Sequence, residues 1–114
     1  MTVLIKRLYE DAAQHDGYRV LIDRLWPRGV SKEKARLGEW LKDVAPSSEL
    51  RRWFHHEPER FDEFATRYRA ELETNPAVGV LRQLIAKHPR VTLLYGARDV
   101  EHNQAVVLRD YLAG

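Results

Sequence analysis

Two short runs hold the residues best suited to chemistry. The first is Asp23-Arg24-Leu25-Trp26-Pro27-Arg28-Gly29-Val30-Ser31. Pro27 fixes one backbone torsion and Gly29 permits a tight or left-handed turn, with Arg28 held between them. Ser31 is a helix N-cap by type, and the turn it opens points unpaired N–H groups and a partial positive charge outward. An arginine beside such a turn makes an anion site, and its planar fork suits carboxylate or phosphate better than a lysine does. The second run is Tyr95-Gly96-Ala97-Arg98-Asp99-Val100-Glu101-His102-Asn103, again with Gly and Arg where a strand gives way to a helix. Two such junctions at one sheet edge would set Arg28 and Arg98 around a single crevice. In that arrangement the backbone at Gly29 and Gly96 assists the two arginines, and Asp23 orients Arg24 or Arg28. Trp26 forms a wall, Tyr95 and Asn103 add hydrogen bonds, and Asp99 or His102 serves as acid or base if a reaction occurs. Histidine is the side chain whose charge ordinarily changes near neutral pH.

Each of these residues also has a structural reading. Asp23 and Arg24 suit an internal ion pair, Trp26 suits core or lid packing, Asp99 suits a helix cap, and His102 suits a hydrogen-bonded first-turn residue. The other chemically capable residues point nowhere in particular. His55-His56 is an adjacent pair whose side chains diverge on a helix, and without cysteine or a His-x-x-x-His spacing no metal site is expected. Arg51-Arg52, Arg67 and Arg69 lie among Trp53, Phe54 and Tyr68, but Glu57, Glu59, Asp62, Glu63, Glu71 and Glu73 dilute the positive field, so solvated, ion-paired helix faces are expected. There is no Walker-type phosphate loop, no Gly-x-Gly-x-x-Gly and no serine in a nucleophile elbow, and no cofactor is expected.

The elements that must position these runs are legible as hydrophobic patterns. Val3-Leu4-Ile5, Val20-Leu21-Ile22 and Val91-Thr92-Leu93-Leu94-Tyr95 are continuous apolar runs, as in strands covered on both faces. The link between the first two, Glu10 to Gly17, is short for a parallel crossover, which leaves their relative direction open. Leu37, Trp40, Leu41 and Val44 after Ser31 follow helical spacing, stopped by Pro46. A short helix from Ser47 to His55 would bury Leu50, Trp53 and Phe54. A longer one opened by Pro58 carries Phe61, Phe64, Ala65, Tyr68 and Leu72, and another from Asn75-Pro76 carries Val78, Leu81 and Ile85. After the last strand, Asp99 can cap a helix with Ala105, Leu108 and Leu112 inward. Helices over a small buried sheet make an α/β layer architecture, in which ligands bind beyond the carboxyl ends of the strands.

Composition sets the frame. The chain has 114 residues, 44% of them hydrophobic and 32% charged, which fits one globular domain over residues 1–114 and excludes a disordered chain. Nineteen basic residues against seventeen acidic ones leave a formal charge of +2, so positive character must come from local clustering. There are no cysteines, which removes disulfides, thiolate chemistry and sulfur-rich zinc sites. Met1 to Tyr9 carries Lys6 and Arg7 inside its apolar run, wrong for a secretory leader, and no stretch approaches the roughly 20 apolar residues of a membrane span. A cytoplasmic protein without a membrane partner, monomeric or homodimeric, is the expectation.

The runs Arg19-Val20-Leu21-Ile22-Asp23-Arg24-Leu25-Trp26-Pro27-Arg28-Gly29 and Leu93-Leu94-Tyr95-Gly96-Ala97-Arg98-Asp99, followed by Glu101-His102-Asn103, resemble the signatures of the YeaO-like proteins in the domain-of-unknown-function 488 family. Glu39-Trp40-Leu41-Lys42-Asp43 and Ala45-Pro46-Ser47 match as well, so the resemblance covers essentially the whole chain. It implies a small α/β sandwich and carries no established activity. Many relatives in another branch have cysteines and a Cys-His-Arg run near the last helix. His102-Asn103-Gln104 stands there in this chain, so thiol-dependent chemistry does not transfer.

Together these readings predict an α/β fold, a small, mostly parallel or mixed three-stranded sheet covered by about five helices. At its strand ends they predict a pocket for a small anion (phosphate, nucleotide or carboxylate), in a protein that is an enzyme only if Asp99 or His102 acts. The alternative is a module binding nucleic acid or protein through its Arg-rich helical faces, which requires a contiguous positive surface and steep salt dependence.

Overall fold

The computed structural model describes residues 2–114; Met1, the first residue of the run weighed as a leader, lies outside the described residues. Four strands, β1 (Thr2–Arg7), β2 (Tyr18–Leu21), β3 (Glu39–Trp40) and β4 (Arg90–Tyr95), form one sheet in the order β1-β4-β2-β3. All three pairings are parallel. The helices are α1 (Lys32–Ala35), α2 (Ser48–Phe54), α3 (Phe61–Leu72), α4 (Ala77–Lys87) and α5 (Gln104–Ala113).

The expected α/β class therefore holds, with one strand more than the three read from the sequence. The first two strands do not pair with each other, which resolves their direction. Both flank β4 and run parallel to it, and the chain from Leu8 to Gly17 returns along the sheet between them. Ten residues suffice because a six-residue strand spans only about 20 Å. Thr92 of β4 donates its hydroxyl to the Asp16 carbonyl at 2.6 Å, pinning this return. Asp16 also accepts from Lys6 at 3.1 Å and from Arg19 at 2.5 Å, and only 1% of its surface is exposed.

Side chains alternate across the sheet as the pleat requires. Val20, Ile22, Val91, Leu93 and Tyr95 face the larger core with Leu50, Phe54, Phe64, Tyr68, Leu72, Leu81 and Leu108 of α2 to α5. Leu21 and Leu94 face a smaller cluster with Leu8, Val30 and Ala35, edged by Trp26, Leu37 and Trp40. This division breaks the helix expected from Ser31 to Val44. Leu37 and Trp40 serve one side of the sheet while Leu41 and Val44 serve the other, so no single helical stripe satisfies them. The helix ends after Ala35, Arg36 turns left-handed (φ 48°), and Glu39–Trp40 pairs with Val20–Leu21 as β3. Gly38 is required at the bend: a Cβ there would lie 2.3 Å from the Tyr18 ring.

The remaining helices form as their patterns dictate. Ser47 caps α2 by accepting from Leu50 N–H, and Glu71 of α3 grips both the N–H and the hydroxyl of Ser47 at 2.9 and 2.6 Å. Tyr68 donates to the Val44 carbonyl at 2.7 Å. Asn75 accepts from Ala77 N–H at the start of α4. The cap of α5 is Asn103 and not Asp99: Asn103 Oδ1 accepts from the N–H groups of Ala105 and Val106. No helix among the described residues is long and apolar enough to cross a membrane.

Candidate functional site

The exits of β2 and β4 lie side by side because the two strands are neighbours, and a cleft of about 890 Å³ opens beyond them. Most of its lining comes from three segments, Asp23 to Pro27 after β2, Ala45 to His56 before, on and after α2, and Gly96 to Gln104 from the end of β4 to the first residue of α5, with Tyr9 and Phe64 completing it. Of the residues predicted from sequence, Asp23, Arg24, Trp26, Gly96, Arg98, Asp99, His102 and Asn103 line this space. Arg28, Gly29 and Tyr95 are not among the lining residues. Arg28 is exposed on the loop beyond Pro27, where its carbonyl accepts from the Tyr9 hydroxyl at 2.7 Å. Gly29 turns that loop with φ 81°, the left-handed region where glycine carries no steric penalty. Tyr95 is 2% exposed and packs in the larger core.

Asp23 holds the cleft together. Its Oδ2 accepts from Gly96 N–H at 2.9 Å and its Oδ1 from the Gln104 amide at 2.5 Å, while its carbonyl accepts from Trp40 Nε1 at 2.7 Å. The expected pairing with Arg24 does not form. Arg24 donates instead to the Ala45 carbonyl at 3.2 Å and lies 4.0 Å from Asp43. Burial pushes the Asp23 carboxyl up to about 6, against the lowering by the Gly96 and Gln104 hydrogen bonds and the nearby Arg51 charge. A carboxyl enclosed by protein resists ionising because its charge loses hydration.

Asp99 and His102 form a local pair. Asp99 Oδ1 accepts from the N–H groups of Glu101 and His102, and Oδ2 meets His102 Nδ1 at 2.9 Å. The Glu101 N–H and the His102 contact hold the Asp99 carboxyl below its ordinary range. The His102 ring meets Phe61 edge-on at 5.2 Å. Asn103 is consumed by the fold, since its Oδ1 caps α5 and its amide donates to the Asp99 carbonyl at 2.8 Å. Trp26 lines the cleft with its indole N–H turned away onto the Val30 carbonyl at 2.7 Å, and its ring meets Trp40 edge-on at 5.3 Å.

Sequence reasoning missed the contribution of α2. Arg51 and Arg52 were read as a solvated face, and they line the cleft with Arg24 and Arg98. The Nε atoms of Arg24 and Arg51 are out of solvent reach and have no hydrogen-bond partner among the described residues. Buried donors of this kind are rare in native proteins, and a charged one demands an acceptor. His55 and His56 were read as diverging on a helix. Both lie past its end in left-handed conformation, φ 47° and 55°, and both line the cleft. A pair of histidines directly after a seven-residue amphipathic turn, with no glycine to take the left-handed cap, is the signal that could have found them. Gln104 carries no such signal. Among the described residues no cluster of His, Asp and Glu has the arrangement to hold a metal ion.

A family model described as the inactive DUF488-N3 subclade matches residues 2–114. The uncharacterized protein Rv3073c of Mycobacterium tuberculosis (strain H37Rv) is 50% identical over 112 residues, spanning 98% of this chain and 94% of its own. The uncharacterized protein YeaO of Escherichia coli (strain K12) is 46% identical over 112 residues, spanning 98% of this chain and 97% of its own. No solved structure matches this chain.

Proposed function

The chain belongs to the inactive DUF488-N3 subclade, and from that premise we propose that it is a cytoplasmic single-domain protein that binds a small anion, phosphate above all, without transforming it. One observation carries this reading. Arg24, Arg51, Arg52 and Arg98 line one cleft, two of them with a buried Nε lacking a partner among the described residues, beside two lining carboxylates. Both carboxylates are already engaged, Asp23 by Gly96 and Gln104 and Asp99 by His102. Arg24 and Arg51 are tethered by the Ala45 carbonyl and the Ser48 hydroxyl, and Arg52 and Arg98 are exposed; guanidinium groups bind phosphate oxygens in bidentate fashion.

Of the acid–base groups in the cleft, Asp99 is the one that supports binding without turnover. Asp99 is held ionised and is satisfied by backbone N–H groups, so it lacks the proton a general acid needs. His102 donates Nδ1–H to that carboxylate, which leaves its Nε2 without a hydrogen-bond partner among the described residues and able to meet a ligand oxygen. The subclade's description as inactive agrees with this. The alternative nucleic-acid reading relied on the helical arginines Arg51, Arg52, Arg67 and Arg69, of which Arg67 stacks on Trp53 and pairs with Glu63 and Arg51 and Arg52 line the cleft, so they do not make one contiguous basic face.

Calorimetric titration with pyrophosphate tests the reading. Saturable binding at one site is expected, weakened at least tenfold by Arg51→Ala or Arg98→Ala and left unchanged by Arg28→Ala, whose side chain lies outside the lining. Equal weakening by all three, or no binding to the wild-type chain, overturns it.

A further inference from the structure

The cleft is not uniformly basic. The segment leaving β2 supplies an apolar wall: Leu25 is 69% exposed, Trp26 presents ring carbon because its indole N–H is spent on Val30, and Pro27 completes the surface. α2 supplies the basic wall, Arg51 and Arg52. The lining also holds a polar group that is fixed, Asp23 with Gln104. Both Asp23 oxygens already accept hydrogen bonds, and the Gln104 amide that donates to one of them leaves its own oxygen as an acceptor. Leu25 adds to this wall because it lines the cleft beside Trp26 and Pro27, so the three make one contiguous apolar patch rather than a single exposed side chain.

Inorganic phosphate uses the arginines and leaves the rest of the roughly 890 Å³ empty, a volume at the upper end of small-molecule sites, which span about 300–1,000 Å³. A sugar phosphate fills more of it but has nothing to lay on Leu25 and Trp26. We infer that the occupant is a nucleoside phosphate, its base against the Leu25–Trp26–Pro27 wall with an N–H edge toward Gln104, and its phosphate on Arg51, Arg52 and Arg98. Base-on-aromatic contact adds affinity whichever base is present, and the Gln104 oxygen favours bases that carry a donor on the exposed edge. This inference rests on the anion-binding reading above.

The test titrates the intact protein with pyrophosphate, ribose 5-phosphate and the four common nucleoside monophosphates. At least one monophosphate is expected to bind ten times more tightly than ribose 5-phosphate. Trp26→Ala should reduce that nucleotide to the level of ribose 5-phosphate while leaving ribose 5-phosphate itself unchanged. Because Trp26 also ties down Val30, Leu25→Ser provides a variant whose exposed site does not endanger folding; it should weaken nucleotide binding several-fold and spare ribose 5-phosphate. Nucleotides binding no better than ribose 5-phosphate, with pyrophosphate still bound, would overturn the nucleoside assignment alone. Absence of binding by every phosphate would remove the anion site as well.

Discussion

Asp23 accepts the backbone N–H of Gly96 at 2.9 Å and so joins the exits of β2 and β4, residues 73 positions apart in sequence. The contact leaves a side chain little room. A Cβ on Gly96 would stand 3.0 Å from Asp23 Oδ2 and 3.1 Å from Pro27 Cγ. Gly96 lies outside the left-handed region, so the demand for glycine here is one of space. Gly96→Ala is expected to cost about 1–2 kcal/mol in urea unfolding and to weaken pyrophosphate binding by shifting Arg98. Unchanged stability and affinity would mean that the Asp23 clamp does not set the shape of the cleft.

The ionisation of Asp23 works against the fold. Its carboxyl is raised from the ordinary 3.8 to about 6, chiefly by burial. The folded state therefore holds the proton more tightly than the unfolded chain. The stability this gives is complete below the unfolded value and is lost as pH rises through about 6. Asp23→Asn keeps an acceptor for Gly96 and removes the buried charge. It should stabilise the protein at about pH 7.5 by up to roughly 3 kcal/mol, with the gain vanishing near pH 4. Chemical denaturation of both proteins at the two pH values decides it, and a constant difference would show that burial does not control this carboxyl.

Asp16 is the opposite case. Burial raises its pKa, but the Ala13 N–H and the Lys6 and Arg19 hydrogen bonds outweigh that and bring it below the ordinary value. Its stabilisation is present above the unfolded value and is lost as pH falls through the lowered folded value. Asp16→Asn leaves Arg19, 5% exposed, with a charge and no counter-ion. A loss of about 3–5 kcal/mol at neutral pH is expected, narrowing in acid. Equal acid midpoints and neutral-pH stabilities for variant and wild type would contradict this.

His55 and His56 both adopt left-handed backbone, with φ 47° and 55°, a conformation costing a side-chain-bearing residue about 1–2 kcal/mol. Glycine relieves that cost but adds freedom to the unfolded chain. His55→Gly and His56→Gly should each stabilise the fold by roughly 0.5–1 kcal/mol while weakening pyrophosphate binding. Stability rising as affinity falls marks residues retained for a site rather than for the fold. A variant losing both would place its histidine in the structure instead.

Much of this architecture is legible in the sequence because burial is periodic. The stripe Phe64, Ala65, Tyr68 and Leu72 faces one core, and the continuous runs of β2 and β4 are buried on both faces of the sheet, so pattern and structure agree. Legibility fails where one segment serves two faces. Leu37, Trp40, Leu41 and Val44 imitate a helix, yet they are shared between the two sides of the sheet, and only Gly38 signals the break. The site behaves likewise. Its strand-exit half, Asp23 to Trp26 and Gly96 to His102, is local in sequence and was readable. Its α2 half was not, because the position of α2 depends on Glu71 gripping Ser47 across 24 residues. Arg28 was misplaced for a related reason: the Tyr9 hydroxyl holds its carbonyl, a contact no local pattern encodes.

Anion affinity should follow the charge of Asp23. In its ionised form this carboxylate lies close enough to Arg51 to lower its own pKa, and by the same interaction it offsets part of the positive field an incoming anion meets. Protonation below about 6 removes that competitor. Sulfate is a suitable probe because its own charge stays constant across the range. Its affinity should rise as pH is lowered from about 8 to about 5, and sulfate binding should draw a proton onto Asp23, detectable as buffer-dependent heat. His55, His56 and His102 also line the cleft, so the wild-type profile alone does not isolate the carboxyl. Asp23→Asn does. It should bind sulfate at about pH 8 more tightly than wild type, with a shallower profile. A variant that keeps the full wild-type slope and its weak binding at high pH would mean that Asp23 shapes the cleft but does not gate its charge.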